Sequence, residues 1–71
     1  MNRRLLEATV IELLSRNGAS DVPHILSYLK DRFPETTEEE LSRALLTLEV
    51  RGVLRMYSSQ RDKQRVELVK G

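Results

Sequence analysis

Two groups of side chains in this sequence have the chemistry of phosphate and base-edge contacts. The first is a set of alternating cations near the carboxyl end, Arg61, Lys63 and Arg65. Guanidinium and ammonium groups at this spacing can follow a nucleic-acid backbone or enter a minor groove, and Arg3 and Arg4 would add a second basic point. A solvated loop tip has the same composition, so the pattern permits either interpretation.

The second group, Ser42, Arg43 and Thr47, lies in the middle of the chain, on a segment whose other side is apolar. A guanidinium on such a surface can donate two hydrogen bonds to a guanine edge or bind a phosphate. An ion pair between Arg43 and Glu39 or Glu40, one helical turn away, explains the same residues equally well. The group therefore predicts a DNA contact without excluding a purely local role.

Three consecutive carboxylates, Glu38 to Glu40, weaken the DNA interpretation because they would lie close to the phosphates. The formal net charge is only +1, whereas nucleic-acid-binding domains are often much more basic. Leu46 and Val50, one turn apart, are expected to face outward. Neighbouring exposed apolar groups are typical of a protein contact, although a thymine methyl or a covering element would also explain them.

A helix over about residues 37–51 positions this surface. Its apolar residues recur at i, i+3, i+4 and i+7, which predicts one buried face: Leu41, Ala44, Leu45 and Leu48. Its start matches the capping box twice, through Thr36 with Glu39 and through Thr37 with Glu40. Gly52 marks its end because glycine enters the left-handed conformation at low cost.

Two further helices are expected before it. A helix over about residues 2–17 has its apolar stripe at Leu6, Val10, Leu13 and Leu14, and Gly18 is a plausible stop. Leu5, Ala8 and Ile11 widen this apolar surface, which indicates either deeper burial in a small bundle or a second contact surface. The residues between, Gly18 to Ser20, allow only a turn or a single extended bridge.

The next helix is expected over about residues 21–33, capped by Ser20 or Asp21 and ended by Pro34. After Gly52, two apolar and β-branched runs separated by a polar stretch predict a hairpin over about residues 53–69. Alternating side chains would place one face of this hairpin on the helices: Leu54, Met56, Val66 and Leu68.

Three helices followed by a two-stranded hairpin match the winged helix-turn-helix arrangement, a mainly α fold with a small antiparallel hairpin, in a single domain over 1–71. The run LSRALLTLEVRGVLRMY resembles the recognition helix and first wing strand of winged-helix transcription regulators. From Arg3 to Val69 the chain resembles the DNA-binding half of the ferric-uptake-regulator family. This resemblance implies DNA binding through the third helix and the wing. Metal sensing is not carried over, because the chain has one histidine and no cysteine.

These observations favour a non-enzymatic protein with no metal, cofactor, membrane or small-molecule partner, because phosphate loops, cysteine nucleophiles and long apolar runs are missing from the sequence. A cytoplasmic location is expected, at the nucleoid if the chain binds DNA. The first hypothesis is a small transcriptional regulator that binds double-stranded DNA, with a homodimer formed through the first helix or through Leu46 and Val50. The alternative is a winged-helix protein-interaction module, such as an accessory subunit of a replication or transcription complex.

Overall fold

A computed structural model describes residues 2–58 and 64–69. In this part of the chain, three helices and three short strands follow one another: α1 (Arg3–Asn17), β1 (Ser20–Asp21), α2 (Val22–Arg32), α3 (Glu38–Val50), β2 (Leu54–Ser58) and β3 (Gln64–Leu68). The helices form one layer, and the strands form an antiparallel sheet in the order β1-β3-β2. This is the mainly α winged helix-turn-helix arrangement that the sequence predicted.

Side-chain caps fix where the first two helices begin. Asn2 Oδ1 accepts from the backbone N–H groups of Arg4 at 2.9 Å and of Leu5 at 3.3 Å. Asp21 Oδ1 accepts from the N–H of His24 at 2.8 Å, which makes Asp21 the cap of α2. Each bond satisfies donors that a helix leaves unpaired in its first turn.

Of the two capping boxes expected at the third helix, only one forms. Thr37 Oγ1 accepts from the N–H of Glu40 at 3.1 Å, and Glu40 Oε1 accepts from the N–H of Thr37 at 3.0 Å. The expected box of Thr36 with Glu39 is wrong, because Thr36 is buried and its hydroxyl donates to the carbonyl of Phe33 at 2.8 Å. The carboxylate of Glu39 is therefore not used in capping.

The end of α3 is a Schellman motif. The N–H of Gly52 donates to the carbonyl of Glu49 at 3.0 Å, and the N–H of Val53 donates to that of Leu48 at 2.9 Å. Gly52 has a φ of 78°, the left-handed conformation this turn requires. The chain consequently reverses within two residues and enters β2.

The sheet contains one strand more than the hairpin expected from the sequence. β2 and β3 pair from Leu54 opposite Leu68 to Ser58 opposite Gln64. On its other side β3 pairs with β1, with Ser20 opposite Val66. A strand of two residues has no room for an alternating pattern, so its sequence could not distinguish it from a turn. The second hairpin arm is thus the central strand of the sheet.

One apolar core joins the helices to the sheet. Val66 of β3 and Leu54 of β2 are fully buried against the helices, and Met56 and Leu68 are half-buried beside them. The helical part of the core contains Leu6, Val10, Leu13, Leu14, Ile25, Leu29, Leu41, Ala44, Leu45 and Leu48. Within residues 2–58 and 64–69, none of the helices is long and apolar enough to cross a membrane.

Two neighbouring leucines of α3 test this packing. Leu45 is 2% exposed, so Leu45→Ala should lower the free energy of unfolding by about 2 to 5 kcal/mol through lost burial and the cavity left behind. Leu46 is 58% exposed, and Leu46→Ala should change the free energy of unfolding by less than about 0.5 kcal/mol. Urea unfolding of both variants measures the difference. Equal effects would show that the rotation of α3 is wrong.

Candidate nucleic-acid interface

The side of α3 that faces away from the core is open to solvent. Ser42, Arg43, Leu46 and Val50 are exposed on it, and Thr47 is half-buried at its margin. Leu46 and Val50 are 58% and 78% exposed, so no described element covers them. We call these five residues the α3 outer face. It contains the whole predicted groove set together with the predicted apolar patch.

Arg43 forms an ion pair with Glu39, which the sequence indicated as the alternative to a DNA contact. Its Nη2 lies 3.0 Å from Glu39 Oε1, with the two side chains 68% and 75% exposed. Exposed pairs of this kind contribute at most about 1 kcal/mol, because water screens the charges and both side chains lose rotamer freedom. Arg43 can therefore exchange Glu39 for a phosphate or a guanine edge at small cost.

The first turn of α3 is acidic where it adjoins the outer face. Glu38 and Glu39 are exposed, while Glu40 is half-buried and held in the capping box. Carboxylates at a helix start stabilise the helix through its dipole. They also repel phosphates, so a DNA backbone would be favoured nearer the carboxyl end of α3.

Two arginines that the sequence interpretation missed follow α3 at that end. Arg51 is 64% exposed in its side chain, with Nη1 3.8 Å from Oε1 of the buried Glu7. Arg55 is 69% exposed; it forms an ion pair with Glu67, its cross-strand neighbour, and its guanidinium lies 5.7 Å from the centre of the Tyr57 ring. Strand alternation from the apolar Leu54 would have placed Arg55 on the outer side of the hairpin.

Of the three cations expected on the wing, Arg61, Lys63 and Arg65, the structure describes only Arg65. Arg61 and Lys63 lie outside the described residues, and their role in phosphate binding stays a prediction. Arg65 is in the central strand, half-buried, and its Nη2 donates to the carbonyl of Ala19 at 2.9 Å. This bond ties β3 to the connection between α1 and β1. This bond could not be predicted from the sequence, which left the residues before α2 as either a turn or a single extended bridge.

The remaining candidates are on other surfaces. Leu5 and Ala8 are exposed on α1, and Ile11 is half-buried and packs against the core. The one histidine of the sequence, His24, is exposed near the start of α2. In the part of the chain that the structure describes, no group of three histidine or acidic side chains is arranged to hold a metal ion.

Comparison with known proteins supports the fold. No family model and no curated protein sequence matches this chain. The crystal structure of the apo-Zalpha domain of zebrafish PKZ matches with a TM-score of 0.81 and 20% identity, covering 96% of this chain and 97% of that one. The Zalpha domain of Carassius auratus PKZ, crystallised in complex with Z-DNA, matches with a TM-score of 0.76 and 18% identity, covering 94% and 97%.

The chain has the winged-helix fold of these Zalpha domains. These neighbours do not support the closer resemblance to ferric-uptake regulators. That resemblance rested mostly on the spacing of core residues, which winged helices share because they bury the same helix faces. At 18–20% identity the likeness concerns the fold and not the residues of a site.

Arg65→Ala should destabilise the protein by about 1 to 2 kcal/mol, because it removes a charged hydrogen bond and leaves the Ala19 carbonyl without that donor. Thermal and urea unfolding measure this loss. Arg16→Ala, on the exposed end of α1, is the matched control and should change stability little. An Arg65→Ala variant as stable as this control would show that the bond to Ala19 has no structural importance.

Proposed function

We propose that this chain binds double-stranded DNA and acts as a small transcriptional regulator, with the α3 outer face in a groove and the β2–β3 hairpin along the backbone. The observation that carries the proposal is the uncovered α3 outer face, followed directly by the exposed arginines Arg51 and Arg55. A solved neighbour of the same fold is a complex with Z-DNA, which adds support from the architecture.

Each part of the α3 outer face has a suitable contact in a groove. Arg43 is the donor for a guanine edge or a phosphate, and the hydroxyls of Ser42 and Thr47 can donate or accept. Leu46 and Val50 offer apolar contact to thymine methyl groups. Base readout by this face would depend on one arginine and on shape, so we expect modest sequence specificity.

Phosphate binding would come from the carboxyl end of the same surface. Arg51 and Arg55 each hold an ion pair with most of the side chain exposed, and both are displaced from the acidic first turn of α3. Neutralising each phosphate contributes roughly 0.9 to the slope of affinity against salt in logarithmic units. With two to four such contacts, the logarithm of the affinity should fall by about 2 to 4 for each tenfold rise in salt concentration.

Titration of labelled duplex at about 50 and 200 mM salt tests the proposal. A mixed-sequence right-handed duplex and an alternating dC–dG duplex held in the left-handed form are the two substrates, because the solved neighbour was crystallised with Z-DNA. We expect binding that weakens steeply with salt, and the preferred substrate identifies the DNA conformation. Failure to bind either duplex at low salt would contradict the proposal.

Glu39→Gln should strengthen DNA binding several-fold, because it removes a carboxylate beside the α3 outer face and releases Arg43 from its ion pair. Arg43→Ala should weaken binding. Glu35→Gln is the matched control: it removes the same charge in the α2–α3 turn, beside Leu5 and Phe33, and should have little effect. Fluorescence anisotropy measures all three variants. If Glu39→Gln and Glu35→Gln behaved alike, α3 would not be at the DNA.

The hairpin cations Arg61 and Lys63 are tested separately from Arg65, which has a structural bond. Replacing both by alanine should weaken binding to all sequences by a similar factor and flatten the salt slope by up to about two phosphate contacts. Circular dichroism checks that the double variant is folded. An unchanged affinity and slope would exclude these two residues from the interface.

A second function, a protein-interaction module, is favoured by the exposure of Leu46 and Val50 beside the carboxylates of Glu38 and Glu39. Apolar side chains at the centre and charges at the rim are the composition of many protein interfaces. Leu46→Glu separates the two functions. If DNA binding is the function, this variant should lose affinity for duplex, because a new carboxylate enters the groove face.

A further inference from the structure

The outward side of α1 has its own pattern of charges and apolar groups. α1 buries one side in the core, and on the opposite side Arg4, Ala8 and Glu12 follow one another at intervals of four residues. Leu5, 48% exposed, and the half-buried Ile11 lie on the two flanks of this row. The row is centred on the smallest of the five side chains, Ala8.

The two charges in this row have no partner in residues 2–58 and 64–69. The ion pairs there join Arg43 to Glu39, Arg51 to Glu7 and Arg55 to Glu67. Arg4 and Glu12 are exposed, and neither side chain forms an ion pair or a hydrogen bond within this part of the molecule. Both are therefore available to a partner, and they have opposite signs at the two ends of the row.

The row is complementary to itself. Arg4 lies four residues before Ala8 and Glu12 four residues after it, while Leu5 and Ile11 lie three residues before and after. When two identical helices cross antiparallel at Ala8, residues at equal distances from the crossing point come to the same level. Arg4 then meets Glu12 of the second copy. The two-fold axis keeps each flank of the row on its own side, so Leu5 lies beside Glu12 of the second copy and Ile11 beside its Arg4. Two-fold symmetry repeats each contact.

We propose that α1 is a homodimer interface, in which two copies pair antiparallel about Ala8. The small side chain at the crossing point lets the helix axes approach to about 8 Å, as in other close helix pairs. Two ion pairs, each bordered by a Leu5 and an Ile11 side chain, then fix both the orientation and the register. A parallel arrangement would instead place Arg4 against Arg4 and Glu12 against Glu12.

The exposed patch on α3 is a poorer site for a second copy. Its outward charges and apolar groups are separated, with Glu39 and Arg43 towards the start of the helix and Leu46 and Val50 towards its end. An antiparallel pairing over this length would place Glu39 against Val50 and Arg43 against Leu46. The ion pair of Arg43 with Glu39 would lose water without gaining an opposite charge from the second copy, which costs free energy.

The dimer is expected to be reversible. α1 has 15 residues, about 22 Å of helix, so one helix pair buries less than the surface typical of permanent assemblies. Monomer and dimer should therefore exchange at micromolar protein concentrations. The pairing uses no residue of the α3 outer face, so two copies could contact two half-sites together. It does not rest on the proposed DNA binding.

Sedimentation equilibrium of the full chain without DNA tests this interface. The wild type should show a molar mass that rises with concentration towards twice the monomer value. Arg4→Glu and Glu12→Arg should each weaken the dimer by about tenfold or more, because two attractions become two repulsions. The double variant Arg4→Glu/Glu12→Arg should restore it. Arg16→Glu is the matched control, since no residue of the second copy's α1 comes to its level.

Three results would overturn the proposal: a monomer at every concentration up to the millimolar range, single charge reversals without effect, or a double variant that fails to recover. A dimer broken by Leu46→Glu but not by Arg4→Glu would move the interface to α3. Circular dichroism confirms that each variant is folded, and all the substituted positions are exposed. Because no DNA is present, these outcomes are independent of any failure to bind duplex.

Discussion

The rotation of α3 about its own axis determines what this protein presents to a partner. Burial of Leu41, Leu45 and Leu48 against α1 and β2 fixes that rotation, and at 0–2% exposure these side chains leave no room for another one. The capping box of Thr37 with Glu40 sets the first turn, and the Schellman turn at Gly52 sets the last. Every outward side chain of α3 takes its direction from this burial, including the arginine and the apolar pair.

The free energies at the surface are much smaller than those in the core. The burial of one leucine is worth about 1.5 to 3 kcal/mol, whereas an exposed ion pair such as Arg43 with Glu39 contributes about 1 kcal/mol or less. The core therefore positions the outer face rigidly, while the charges on it remain free to change partners. The acidic first turn stabilises the helix, and its cost is repulsion of any anion brought to the same end.

The pattern of apolar residues was enough to predict the three helices, the hairpin and the outward direction of Arg43, Leu46 and Val50. Local periodicity carries this information because each helix buries one stripe. Three features could not be read in this way. β1 is too short for a period, the choice between Thr36 and Thr37 as the cap depends on tertiary burial, and the bond from Arg65 to Ala19 joins residues far apart in sequence.

The central position of β3 has a consequence for how the chain folds. β3 pairs with β1 and β2, and Arg65 reaches back across 46 positions to the carbonyl of Ala19. The helices can form from contacts close in sequence, but the sheet needs its last strand before either neighbour is paired. α1 to α3 precede β3 along the chain and can form before it, while β2 still lacks its paired strand. The sheet, and with it the native fold, can be completed only when residues 64–68 are free to pair with β1 and β2.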